Sequence, residues 1–324
     1  MVKDMTPLLQ VQDLFIQYNT DNGIVKAVNG ASFHIDRGET LGLVGETGAG
    51  KTTSALGILR LVPDPPGKIM SGSIKLSNAD LLSLSEHEMQ KIRGKKVSMI
   101  FQDPMTALNP VLTIGDQVVE VIRLHEKISR EEAHQKAADM LEMVGIPYDR
   151  FDEYPHQFSG GMKQRVVIAI ALACQPELLI ADEPTTALDV TIQAQVLDLI
   201  NRLKKQLGTS VLLITHDLGV VAEVCDRVAI MYAGQIIEQG TLRQVYYRTG
   251  HPYTKGLFAS IPSIDRKSAR LTLIPGLMPD PTHLGNGCAF YPRCKCHSET
   301  CLHALPPEKA LEPGHTVRCW LYVR

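Results

Sequence analysis

Residues 8–36 alternate apolar and polar positions in short runs, interrupted by Asn19-Thr20-Asp21-Asn22-Gly23. A period of two broken by turn residues predicts antiparallel strands. From Leu41 onward the pattern changes. Apolar runs of four or five residues stand at 41–44, 97–101 (with Ser98 inside it), 178–181 and 211–214, with longer stretches between them. Such runs predict strands buried on both faces, as in a parallel sheet flanked by helices. The stretches between carry helical spacing. From Glu131 to Val144 the apolar positions are Ala133, Ala137, Met140, Leu141 and Val144; later they are Ile192, Val196, Leu199, Ile200 and Leu203. Both sets predict amphipathic helices, the second ended by Gly208. The block at 104–172 reads as mainly helical. Together these patterns predict an α/β fold.

Regular periodicity fades after Tyr246. Nine of the 19 prolines and five of the seven cysteines lie beyond it. This predicts one domain over residues 1–245 and a cysteine-rich extension over 246–324. The chain has 324 residues, a net charge of −2 and 44% apolar residues, which fits about two globular domains and no nucleic-acid partner. The basic run Lys91, Arg93, Lys95, Lys96 is short and reads as a solvated face. Met1-Val2-Lys3-Asp4-Met5 lacks the apolar core of a signal peptide, and no window holds 18 uncharged apolar residues. The expected location is cytoplasmic, with any membrane role exerted through a partner.

Chemistry enters at Gly45-Glu46-Thr47-Gly48-Ala49-Gly50-Lys51-Thr52, a full match to the G-x-x-x-x-G-K-[ST] phosphate loop. An apolar run leads in and helix formers from Thr53 to Leu61 lead out, the strand–loop–helix setting this site requires. Glycines let backbone N–H groups face phosphate oxygens, and the helix N-terminus adds partial positive charge. Lys51 is expected on the β- and γ-phosphates and the Thr52 hydroxyl on Mg²⁺. Gly45, Thr47, Gly48, Ala49, Gly50 and Thr53 complete the expected contacts. Alone, this motif names only nucleotide binding.

Four further elements narrow it. Leu178 to Glu183 is an apolar strand ending in Asp182, a carboxylate for Mg²⁺, and Glu183, a general base for water. Ser159-Gly160-Gly161-Met162-Lys163-Gln164 is a small-residue turn opening a helix. His216 and Gln102 stand at two more strand tips. This set, in this order, resembles the ATP-binding cassette (ABC) ATPases over residues 8–245. Gln102 matches the Q-loop, Ser159 to Gln164 the signature, Asp182 and Glu183 Walker B, Ala187-Leu188-Asp189 the D-loop and His216 the switch histidine. The resemblance makes Glu183, His216 and Gln102 catalytic and places Mg²⁺ on Thr52, Gln102 and Asp182. Tyr18 is the match for the adenine-stacking aromatic, ahead of Phe15. The implied fold is a RecA-like parallel-sheet core with an antiparallel β subdomain and a helical subdomain at 104–172. The signature implies a head-to-tail dimer in which Ser159, Gly160, Gly161 and Gln164 reach ATP in trans. Phe158-Ser159-Gly160-Gly161-Met162 departs from the usual Leu-Ser-Gly-Gly-Gln, and Met162 cannot donate the hydrogen bonds a glutamine could. That form resembles the dipeptide/oligopeptide and nickel importers.

The tail adds Cys288, Cys294, Cys296, Cys301 and Cys319, at intervening gaps of 5, 1, 4 and 17 residues. Spacing alone predicts zinc, with His297, His303 and His315 as possible added ligands. A proline-rich segment this short supplies only ~3–5 kcal/mol from its core, so a metal staple is expected. Gly287 to Cys294 and Gly250-His251-Pro252-Tyr253-Thr254 resemble the C-terminal extension of oligopeptide importer ATPases. The resemblance implies a 4Fe–4S cluster on Cys288, Cys294, Cys301 and Cys319, with Cys296 extra. Cys174 and Cys225, in apolar surroundings, read as small hydrophobes.

The expected function is an ATPase subunit at the cytoplasmic face of the membrane that powers import of di- or oligopeptides. Its implied partners are a second ATPase subunit, two membrane permeases and, indirectly, an extracytoplasmic peptide-binding protein. The segment Pro104–Thr113 is expected to meet the permease. A nickel or other small-solute importer is the alternative within the class, and a DNA- or ribosome-acting cassette the alternative outside it. Only 56 residues separate Gln102 from Ser159, too few for the long coiled coil of DNA-repair cassettes, and the chain holds one cassette where ribosomal types hold two.

Overall fold

The computed structural model describes residues 6–186, 188–260 and 274–323. The strands are β1 (Leu9–Thr20), β2 (Gly23–Ile35), β3 (Thr40–Val44), β4 (Gly67–Leu76), β5 (Ala79–Asp80) and β6 (Val97–Ile100). They continue with β7 (Leu178–Asp182), β8 (Ser210–Thr215), β9 (Arg227–Tyr232), β10 (Gln235–Thr241), β11 (Glu308–Glu312) and β12 (His315–Arg318). Contacts group the chain into two compact units. The first holds Ile35–Glu39 and the described residues up to Leu8 and within Ser83–Ile214; the second holds Leu9–His34, Thr40–Leu82 and the described residues from Thr215 onward.

In the first unit β8, β7 and β6 run side by side and parallel, with Leu178 opposite both Val97 and Ser210. Every residue of β7 and β8 is buried, as uninterrupted apolar runs require. Helices Ile114–His125, Arg130–Met143 and Gly160–Leu172 form the expected helical block, with Ile122, Ala133, Ala137, Leu141 and Val166 in its core. Ser129 starts the second of these with a capping box to Glu132. A Cβ on Gly115 would come within 1.9 Å of the Phe151 ring, so only glycine lets that ring close on the first helix. The long helix Val190–Leu207 starts on an Asp189 side-chain cap and stops at Gly208 in the left-handed region (φ 70°).

In the second unit β2, β1, β4 and β5 lie in that order, and β1 pairs antiparallel with β4 from Leu9↔Leu76 to Tyr18↔Gly67. The alternation at 8–36 predicted β1 and β2 of this sheet; β4 and β5 lie outside it. β3 pairs parallel with β9, β9 antiparallel with β10, and β10 antiparallel with β12. The hairpin β11–β12 therefore continues the sheet beyond β10. Sequence patterning did not predict it, because neither strand carries an apolar run like those of β3, β6 and β7.

One buried carboxylate ties the tail to that sheet. Glu238 on β10 accepts from the Gly250 N–H (2.7 Å), the His251 N–H (2.9 Å) and His315 Nε2 (2.9 Å). Three donors satisfy a charge that burial would otherwise make costly. His251 Nδ1 then accepts from Tyr253 N–H and caps the helix Pro252–Ala259.

Candidate functional site

The phosphate loop lies in the second unit, between β3 and the helix Lys51–Ile58. Gly48 (φ 83°) and Gly50 (φ 101°) hold left-handed backbone that turns the loop into the helix. A Cβ on Gly45 would lie 2.2 Å from Met231 O, and one on Gly50 would lie 2.4 Å from Ala27 O. The loop is thus pressed against β9 and β2, and Gly234 N–H donates to Ala49 O (2.8 Å). Lys51 Nζ donates to Gly45 O (2.8 Å) and Glu46 O (3.1 Å), so the ammonium is folded over the loop. Ala49 is buried, Thr53 half-buried and Thr52 exposed. Tyr18 is half-buried on β1, its ring against Gly67, and Phe15 is more open. His216 lies exposed just past β8, before the helix Leu218–Val224 that Asp217 caps.

The first unit brings together Gln102, Asp182 and Glu183. Asp182, 1% exposed, ends β7. Glu183 follows with φ 47°, a left-handed conformation rare outside glycine. Its N–H donates to Ile214 O (2.8 Å), which anchors the strained turn to β8. Its Oε2 accepts from Gln102 Nε2 (2.9 Å) and from Thr186 Oγ1 (3.0 Å). Two donors on one oxygen stabilise the ionised carboxylate and fix its direction. Thr186 was not found from sequence; its position three residues past Glu183, closing the turn that Glu183 opens, was the available signal.

Ser159 caps the 13-residue helix Gly160–Leu172 and is exposed, while Gly160 and Gly161 are half-buried beside it. Gln164 points elsewhere. It is fully buried, and its amide donates to Pro184 O (2.6 Å), inside this unit. Met162 Sδ receives Arg150 Nη1 (3.2 Å), and the Arg150 guanidinium lies 4.2 Å from the Phe158 ring centre. Arg150 therefore steadies both departures from the usual signature. Asp189 caps a helix, and Ala187 lies outside the described residues.

The expected cluster in the tail is overturned. Among the described residues, no group of three or more His, Cys, Asp or Glu is arranged to hold a metal ion. The cysteines instead line a cavity of about 170 Å³ with His251, Phe290 and Trp320. Burial pushes the Cys288 thiol up to about 11, and Cys301, Cys319 and Cys294 add to the rise. Burial also raises the Cys294 and Cys319 thiols. That setting disfavours the thiolates that metal ligation needs. Cys296 is exposed, His297 Nδ1 sits on Cys294 O, and His315 is taken by Glu238. Neither a 4Fe–4S cluster on Cys288, Cys294, Cys301 and Cys319 nor zinc follows from this arrangement.

Comparison with known proteins agrees with the phosphate-site geometry. Residues 28–186 match the family described as ABC transporter, and residues 237–301 the oligopeptide/dipeptide transporter C-terminal region. The oligopeptide transport ATP-binding protein OppD of Bacillus subtilis (strain 168) is 52% identical over 98% of this chain and 89% of its own length. The dipeptide transport ATP-binding protein DppD of the same organism is 50% identical over 98% and 95%. An ATP-binding cassette solved as a dimer in a post-hydrolysis state with ADP and Pi superposes with a TM-score of 0.65 at 29% identity, covering 72% of this chain and 99% of that one. With half of its residues shared along nearly its whole length, the chain belongs to the ABC transporter family, among the ATP-binding proteins of oligopeptide and dipeptide transport.

Proposed function

We propose that the chain hydrolyses ATP to power import of di- or oligopeptides through a membrane transporter. The observation that carries this reading is Glu183, strained at the end of β7 with its carboxylate aimed by Gln102 and Thr186. A positioned carboxylate beside a buried Asp182 is what water activation in phosphoryl transfer requires. Glu183 takes a proton from water as the water oxygen bonds to the γ-phosphorus and the bond to the β–γ bridging oxygen breaks. Lys51, which already seeks oxygen acceptors on the loop, exchanges Gly45 O and Glu46 O for β- and γ-phosphate oxygens. His216 meets the γ-phosphate, and Tyr18 stacks on adenine. Asp182, buried and acidic, and Thr52, with an exposed hydroxyl, suit Mg²⁺, as does the Gln102 carbonyl left after its nitrogen donates to Glu183. Mg²⁺ supplies charge neutralisation on the β- and γ-oxygens.

The rest of the reading concerns assembly. Residues 1–245 act as the cassette and 246–324 as the extension. Two ATPase subunits, identical or not, face head to tail, so that Ser159, Gly160 and Gly161 of one reach the nucleotide of the other. The solved cassette dimer supports this arrangement. The subunit works at the cytoplasmic face, where Pro104–Thr113 meets the permeases and a peptide-binding protein delivers substrate from the other side. Among the described residues no helix is long and apolar enough to cross a membrane, so attachment is through partners. Glu183→Gln tests the chemistry: ATP binding stays, and turnover in the assembled transporter falls ~10²–10⁴-fold. Near wild-type turnover would remove Glu183 as the base.

A further inference from the structure

Glu46 occupies the second position of the phosphate loop, and nothing in the loop motif specifies it. In this protein its side chain and its N–H are both tied to the tail. Arg293 Nη1 donates to Glu46 Oε2 (2.9 Å) and Nη2 to Oε1 (3.2 Å), a fork on a carboxylate. The Glu46 N–H donates to Tyr253 OH (3.0 Å). The Glu46 carbonyl accepts from Lys51. One residue thus links the phosphate-binding lysine to two side chains more than 200 positions away.

The far end of the latch is itself fixed. The Arg293 side chain is only 6% exposed. Its Nε donates to Pro275 O (2.9 Å) and its Nη1 also to Tyr232 OH (3.3 Å). Tyr232, Tyr253 and Phe290 pack around it, with ring centres 4.6 to 5.4 Å apart. Arg293 ends the short turn Tyr291–Arg293, set between Cys288 and Cys294, so the cysteine segment places the guanidinium. The electrostatic need is plain. An unpaired carboxylate in a phosphate loop repels the nucleotide it should bind, and a buried guanidinium fork removes that repulsion while holding the loop open.

We infer that Arg293 and Tyr253 are positioning residues for ATP: the tail latches Glu46, neutralises it, and presets the phosphate loop. This rests on the phosphate-loop reading above and extends it to the tail. It makes the extension part of the nucleotide site rather than an appendage.

The test is Mg-ATP affinity of the full chain by calorimetry, with folding checked by circular dichroism. Arg293→Gln weakens ATP binding about 10-fold or more, because it leaves Glu46 charged and unpaired. Turnover at saturating ATP falls much less, since the latch acts on binding. The double variant Glu46→Gln/Arg293→Gln recovers to within about 3-fold of wild type, because both partners are then neutral. A purely structural Arg293 would give no such rescue. Tyr253→Phe loses about 3-fold, the worth of one hydrogen bond. Wild-type affinity in Arg293→Gln, or a double variant as weak as the single, overturns the latch. If Arg293→Gln does not fold, Arg293→Lys replaces it, with an intermediate loss expected; wild-type affinity in both it and Tyr253→Phe overturns the proposal. Lys51→Ala separates the two readings. Undiminished binding there defeats the phosphate-loop assignment itself, whereas lost binding there with an unaffected Arg293→Gln defeats only the latch.

Discussion

His251 is 1% exposed, and among the described residues no acidic side chain bonds its ring; its Nδ1 accepts from the Tyr253 N–H. Burial, and secondarily Lys255, lowers its pKa from 6.5 to about 3. The folded state therefore holds it neutral while the unfolded chain protonates it near pH 6.5. Its contribution is complete above that pH and is lost as pH falls toward 3. Between pH 7 and 5 this one group removes about 2 kcal/mol of stability. His251→Asn keeps a side-chain acceptor for the helix cap and cannot titrate. Denaturant melts at pH 7 and pH 5 are expected to show the wild type losing about 2 kcal/mol more than the variant. Equal losses would mean the imidazole does not carry the acid sensitivity. Residue identity alone marks His251 as titratable; only its enclosure makes it a stability determinant. Glu183 shows the same division. Its place after an apolar strand was legible, but the left-handed backbone and the paired donors on Oε2 were not.

At the scale of elements, helix starts follow residue type. Ser129, Ser159, Asp189 and Asp217 each cap a helix, and each is a residue whose short polar side chain favours that role. The cap at Ser159 has a second use in the proposed dimer, where the exposed serine faces another subunit's ATP. Ser159→Arg is expected to leave ATP binding by the isolated chain intact and to abolish ATP-dependent dimerisation, read by light scattering. The lost cap costs about 1 kcal/mol, too little to unfold the protein. An equal loss of binding by the monomer would show that the signature serves its own chain. Gln164 marks the limit of reading an element by motif. It belongs to the same helix start by sequence, yet lies one turn in, on the buried side, and spends its amide on Pro184.

At the scale of the whole molecule, the tail is held to the sheet through Glu238. His315→Leu removes one of its three donors and leaves a buried charge partly unpaired. A loss of about 1–3 kcal/mol is expected, seen as a lower urea midpoint. Limited proteolysis should then cut first within β11–β12, since that hairpin adjoins β10 through β12 alone. An unchanged midpoint would mean that the two backbone donors suffice.

Sequence by itself determined the α/β alternation, the phosphate loop, the acidic strand end and the family. Each is carried by residues close together in the chain, where hydrophobic period and backbone need translate directly into local structure. Tertiary structure alone decided what the tail touches. Arg293 meets Glu46 across 247 positions and His315 meets Glu238 across 77. No spacing rule reaches that far, because such contacts depend on how sheets and turns stack. The cysteines make the same point from the other side. Crowding in sequence predicted a metal, but ligation needs thiolates aimed at one point. Partial burial of Cys288 and Cys294 and burial of Cys319 raise these thiols instead, which disfavours the thiolate.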